Sequence, residues 1–112
     1  MNPPLGFRYA AAYAGIRHVV KDDLALIVSG TPATAAAVFT QNLAAAAPVH
    51  LARRHLRASR GKLRAILANA GNANCATRTG EKVAVACVRA AAKALGVKIG
   101  RASCRERVYV LV

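Results

Sequence analysis

Apolar and polar positions fall into blocks along the chain, and the blocks predict strands at the start and helices further on. Leu24-Ala25-Leu26-Ile27-Val28 is a short continuous apolar run that stops at Ser29-Gly30-Thr31-Pro32, the pattern of a strand buried on both faces and followed by a turn. Ala36 to Thr40, with Val38-Phe39 at its centre, reads as a second strand after that turn. Pro48 suits the first turn of a helix, where its missing N–H costs nothing, and Val49, Ala52 and Leu56 recur at spacings of three and four. This spacing predicts a helix over 48–59, with arginines on its other side and Gly61 as its stop. Leu63 to Asn69 reads as a third strand. From Gly80 the period is helical again: Val83, Cys87, Ala90 and Ala94 share one stripe and Lys82, Arg89 and Lys93 another. The prediction is a helix over 80–95 with Thr79 as N-cap and Gly96 as its C-terminal stop. Ahead of all this, residues 1–15 read as an extended lead-in because Pro3 and Pro4 fix the backbone, and Gly15 to His18 reads as the start of a strand. Strand, strand, helix, strand, Asn/Gly loop, helix is the order of an α/β (α+β) fold, with no internal repeat and no linker that marks a domain boundary.

Composition narrows this picture. The 112 residues suffice for one small domain or part of a larger one. The hydrophobic fraction of 55% overstates the core, because 27 residues are Ala and only 28 are Leu, Ile, Val or Phe. That quarter of the chain still exceeds the level of about 20% that accompanies intrinsic disorder. Cys75, Cys87 and Cys104 form no Cys-x-x-Cys pair, and an odd count in so short a chain argues against a disulfide framework, which suits a reducing, cytoplasmic setting. No apolar run approaches the roughly 18 to 20 residues that span a bilayer, and Met1 to Phe7 has neither a cationic nor an apolar signal region. A soluble intracellular protein is expected.

The net charge of +13 opens a second possibility. Arg53, Arg54, Arg57, Arg60, Lys62 and Arg64 place six cations within twelve residues, which suits either a solvated helix face or a small basic module that binds nucleic acid or another polyanion. Single-strand binders need aromatic platforms, and this cluster contains none.

Chemistry concentrates in Asn69-Ala70-Gly71-Asn72-Ala73-Asn74-Cys75-Ala76-Thr77-Arg78-Thr79-Gly80, between a predicted strand and a predicted helix. Backbone N–H groups at such a helix start can hold an anion or a developing negative charge. The same residues also suit a compact turn in which Asn and Gly adopt positive φ. The segment matches neither glycine-rich nucleotide motif. His50 and His55 are five apart and point in different directions from one helix, and His18 has no ligand partner nearby, so no metal site is expected. Four acids offer no evident carboxylate pair, and Asp22-Asp23 reads as a break before a strand. Cys75 has no identifiable base beside it, and Cys87 lies on the apolar helix stripe as a core residue. No catalytic residue is assigned from these patterns.

From Pro4 to about Val97 the chain nevertheless resembles a known family. Gly6-Phe7, Gly15-Ile16, Asp23-Leu24-Ala25-Leu26-Ile27, Val38-Phe39-Thr40 with Asn42, Ala46-Ala47-Pro48-Val49 and Asn69-Ala70-Gly71-Asn72-Ala73-Asn74 are similar, in order and spacing, to the N-terminal region of ornithine acetyltransferase, the bifunctional glutamate N-acetyltransferase of arginine biosynthesis. The resemblance implies the first part of the α chain of a layered sheet-and-helix acetyltransferase domain. It further implies a cytoplasmic enzyme that moves an acetyl group from N-acetylornithine to glutamate, with acetyl-CoA as donor in some members, and no metal. Members cleave themselves into α and β chains that stay together, and the new N-terminal threonine of the β chain is the nucleophile. Its own α-amine acts as base, and an oxyanion hole stabilises the tetrahedral intermediate. Asn69, Gly71, Asn72, Asn74 and Gly80 belong to the family's signature loop, without an assigned role.

The sequence departs from the family in two places. Arg78-Thr79 separates Thr77 from Gly80, where many members join threonine directly to glycine. After Gly96 the family runs on to a threonine–glycine oxyanion segment and the cleavage site; neither is found here, and none of Thr31, Thr34, Thr40, Thr77 or Thr79 sits in the nucleophile's motif. The isolated 112-residue chain is therefore expected to be inactive. Residues 1–99 are read as the family segment and 100–112 as a non-native read-through tail, with a genuine strand over Val108 to Val112 as the alternative.

Overall fold

The computed structural model describes residues 2–70 and 78–97, together with the backbone of two short strands beyond them. In chain order the elements are β1 (Phe7–Ala12), β2 (Leu24–Thr34), α1 (Ala47–Ala58), β3 (Lys62–Asn69), α2 (Gly80–Leu95), β4 (Ser103–Arg105) and β5 (Val108–Leu111). The five strands form one sheet in the order β1-β2-β3-β5-β4, with every neighbouring pair antiparallel. The fold is mixed α+β, as the element order predicted.

Strand parity decides which residues meet the helices. Leu24, Leu26 and Val28 of β2 stand opposite Asn69, Leu67 and Ala65 of β3, so these six share one face of the sheet. Both helices lie on that face: Val28, Ala65 and Leu67 form one buried cluster with Leu51 and Ala52 of α1 and with Ala84, Val88 and Ala92 of α2. Ala25, Ile27, Ile66 and Ala68 occupy the other face with Tyr9, which remains half exposed.

Helix α1 keeps the predicted position. Pro48 is fully buried in its first turn. Val49 and Ala52 are buried as expected, whereas Leu56 is only half-buried and Leu51 and His55 take the remaining inward positions. Gly61 follows in the left-handed region at φ 76°, and a Cβ there would stand 3.1 Å from the carbonyl oxygen of Ala35. That close approach holds a 2.7 Å bond from the N–H of Ala35 to the carbonyl of Gly61. Helix α2 also keeps its bounds and ends at Gly96, whose φ of 65° suits a helix stop. Thr79 sits at the N-cap position but makes no side-chain cap bond.

Four expectations need correction. The strand expected over 36–40 is absent, because Thr40 and Asn42 bond to nearby backbone N–H groups and Arg53 of α1 holds the Thr40 carbonyl. Local side-chain bonds of this kind compete with a ladder. The turn expected at Ser29 to Pro32 lies within β2, which shifts register between Val28 and Ala33; such an irregularity accommodates Pro32, which has no N–H to donate. Gly15 to His18 is not a strand, since Gly15 has φ 76° and the turn wraps around Asp23. The strand in this region is β1, within the expected lead-in. Finally, the inward stripe of α2 is Ala84, Val88 and Ala92, not Val83, Ala90 and Ala94, while Cys87 packs half-buried at its flank. Alanines surround this helix, so apolarity alone does not distinguish its faces.

Candidate site at the end of β2 and β3

The start of β2 and the end of β3 meet at one end of the sheet, where Leu24 pairs with Asn69. Asn69 is 7% exposed, and its Oδ1 has no hydrogen-bond partner among the described residues. One residue later the chain is still tied to β2, because the N–H of Ala70 donates to the carbonyl of Asp23 at 2.8 Å. Gly80, buried, begins α2 where the loop returns, with Glu81 in the first turn. Thus Asn69 and Gly80 bracket the loop, while Gly71, Asn72 and Asn74 lie outside the described residues, as does Cys75.

Asp23 organises the neighbouring turn. Although only 3% exposed, its carboxylate accepts three backbone bonds: Oδ1 from the N–H of Ala14 at 2.6 Å, and Oδ2 from those of Ile16 at 2.7 Å and Arg17 at 2.9 Å. Burial favours the neutral acid, but the backbone N–H groups of Arg17, Ala14, Ile16 and Asp23 itself together outweigh it and hold the carboxyl below its ordinary value. Gly15, in the left-handed region, allows the turn to aim these N–H groups inward. An open cavity of about 330 Å³ lies beside them, lined by Ala11, Asp22, Asp23, Leu24 and Ala70 among others. The sequence pattern treated Asp22-Asp23 as a break before a strand. It missed the clamp, which closes over six to nine residues and follows no helix or strand period.

The other candidates stay apart. His50 is exposed and His55 buried on α1, on different sides as their spacing required, and His18 is exposed in the segment between β1 and β2. No group of three or more His, Cys, Asp or Glu that could hold a metal occurs among the described residues. No helix among the described residues is long and apolar enough to cross a membrane. Three of the six clustered cations bond within the chain itself: Arg53 to the Thr40 carbonyl, Arg54 to Glu81 at 3.6 Å, and Lys62 to the Thr34 hydroxyl at 2.9 Å. Nothing in this arrangement supports the nucleic-acid reading.

Comparison with known proteins agrees with this fold. The ArgJ family model matches residues 8–110. The arginine biosynthesis bifunctional protein ArgJ of Nitratidesulfovibrio vulgaris is 55% identical over 74 residues, covering 66% of this chain and 19% of that protein. Its counterpart in Gloeobacter violaceus is 48% identical over 92 residues, covering 81% of this chain and 22% of that protein. Among solved structures, ArgJ from Bacillus halodurans superposes with a TM-score of 0.79 at 30% identity, over 87% of this chain and 50% of that one. Ornithine acetyltransferase from Mycobacterium tuberculosis, solved in complex with ornithine, gives 0.70 at 37% identity, over 88% of this chain and 52% of that one. The chain therefore spans about a fifth of the length of these curated relatives and about half of the solved chains.

Proposed function

Because the chain belongs to the ArgJ family, we propose that the longer protein it represents transfers an acetyl group from N-acetylornithine, or from acetyl-CoA, to glutamate in arginine biosynthesis. The family match over residues 8–110 carries this reading. The ornithine held by the Mycobacterium tuberculosis relative supports the substrate class.

The reaction passes through an acetyl-threonine on a β chain that is released from the same precursor and stays bound to the α chain. The lengths fit such a division, since a stretch that fills about half of the solved chains fills only about a fifth of the curated proteins. Asn69, Gly71, Asn72, Asn74 and Gly80 belong to the family's signature loop, of which Asn69 and Gly80 border the site described above, and the enzyme works in the cytoplasm. Residues 1–99 supply the α-chain segment, and residues 100–112 are a read-through tail. Strands β4 and β5 continue the sheet from the edge of β3, and edge pairing through main-chain bonds accepts many sequences. The family match itself reaches residue 110, so re-sequencing the gene across Leu95 to Val112 from an independent library decides the point.

The functional test is direct. The complete reading frame is expressed and offered N-acetylornithine and glutamate, and the appearance of N-acetylglutamate with an equal amount of ornithine is expected. A folded full-length protein that produces neither, with N-acetylornithine or with acetyl-CoA as donor, overturns the assignment. The 112-residue stretch alone is expected to show no turnover.

A further inference from the structure

Helix α2 carries more apolar surface than the sheet covers. At about 100° per residue its side chains form three stripes roughly 120° apart. Ala84, Val88 and Ala92 face the core, and Lys82, Arg89 and Lys93 carry charge into solvent. The third stripe contains Cys87, Ala90 and Ala94, of which Cys87 is half-buried and both alanines are exposed. A helix that meets solvent on two stripes would carry polar residues on both.

That third stripe forms the wall of a groove. An open cavity of about 490 Å³ runs between Cys87, Ala90 and Ala91 of α2 and the helix-facing side of the sheet edge, where Ala10 and Ala12 of β1 stand opposite Leu26 and Leu24 of β2. All six residues of β1 are exposed, so the helix layer stops at α2 and leaves the edge strand bare. Among the described residues no charged side chain lines the groove. Small side chains on both walls leave room for larger apolar groups to fill.

We propose that this groove seats an apolar helix from the part of the same polypeptide that follows α2 in the longer protein. The solved relatives argue for that occupant: each is a single chain of which the part matched here is about half, so an equal length of chain in each must pack against this half. A helix fits because the groove lies beside α2 over a sheet face, where the next member of a helix layer goes at about 8–10 Å from its neighbour. Its buried side carries Leu, Ile, Val or Phe and no charge, because the groove offers a charge no partner. The proposal rests on the reading that this chain is the first part of a longer protein, and it is independent of acetyl transfer.

The test uses the complete reading frame. Ala90→Cys places a thiol in the groove and Lys93→Cys places one on the charged stripe, and each is labelled with N-ethylmaleimide in the native protein and again in urea. Expected is labelling of Ala90→Cys at least about a hundredfold slower than that of Lys93→Cys in the native protein, equal rates in urea, and no change when the native protein is diluted about a hundredfold. A photoreactive p-benzoylphenylalanine in place of Ala94, one turn beyond Ala90 on the same stripe, should crosslink to a peptide that follows Gly96. Equal native rates show an open groove and overturn the proposal. Protection that is lost on dilution assigns the groove to a second copy and overturns it too, as does a crosslink confined to residues 1–96. A folded protein that shows the protection and the crosslink but transfers no acetyl group overturns the assigned reaction and leaves this inference standing.

Discussion

The guanidinium carbon of Arg53 lies 5.3 Å from the centroid of the Phe39 ring, and the same side chain donates a hydrogen bond to the carbonyl of Thr40. Helix α1 thus holds the irregular segment before it by one residue acting at two adjacent positions. Phe39 also packs against the core cluster, whereas its neighbour Val38 is 82% exposed. Together these contacts explain why an apolar run of strand composition does not join the sheet.

Arg53→Ala is expected to release this segment without unfolding the sheet. A cation–π contact at a partly exposed site and a charged hydrogen bond together contribute about 1–2 kcal/mol. Hydrogen exchange over residues 36–44 should accelerate, with β3 unchanged, and Arg53→Lys should recover only part of the protection because lysine lacks the planar fork. Uniform acceleration across the whole chain would contradict a local role.

His55 sets a pH window of its own. Burial lowers its pKa from 6.5 to about 4, and the nearby positive charge of Arg54 adds to the effect. The unfolded chain therefore binds a proton at higher pH than the folded one, and stability must rise between about pH 4 and pH 6.5. After allowance for solvent screening the change is about 2 kcal/mol. Asp23 acts below this window: its folded pKa is lowered, so its contribution is present above the ordinary value of 3.8 and fades as pH falls through the folded pKa. Urea melts at pH 4.5 and 7.5 should show His55→Leu gaining on the parent at the lower pH. An equal difference at both values would refute a buried neutral imidazole.

Two glycines separate backbone strain from crowding. Gly61 and Gly96 both have φ in the left-handed region, but a Cβ at Gly61 meets the Ala35 carbonyl at 3.1 Å while one at Gly96 meets nothing within 4 Å. Gly96→Ala should cost about 1 kcal/mol, the backbone penalty alone. Gly61→Ala adds pressure on the bond that ties Ala35 to the start of β3 and should cost about 2 kcal/mol. Equal losses in thermal melts would show that the Ala35 contact yields freely.

These glycines also show which parts of the fold were legible. Pro48, Gly61 and Gly96 punctuate the chain, and Leu63, Ala65 and Leu67 alternate inward along β3, so both helices and that strand could be read from sequence. Strand β1 could not, because Phe7, Tyr9 and three alanines carry little contrast between faces and its ladder comes from β2. The candidate site divides in the same way. Asn69 and Gly80 announce themselves by residue type, whereas Asp23 acquires its role only when a turn closes around it.

The inward face of α2 gives the sharpest test of packing. Val88 is 1% exposed within the cluster formed with Val28, Leu67 and Leu51, whereas Val83, which has the stronger claim from spacing, is 44% exposed. Truncating a buried valine removes two methyl groups and leaves a cavity that the surrounding alanines cannot fill, at about 2 kcal/mol. Removing the same atoms from an exposed site loses little contact, and alanine's higher helix propensity offsets part of that loss. Val88→Ala should therefore lower the unfolding free energy by about 2 kcal/mol and Val83→Ala by less than about 0.5 kcal/mol, measured by denaturant melts. The reverse order would place Val83 on the sheet and rotate the helix by roughly 140° from the orientation described.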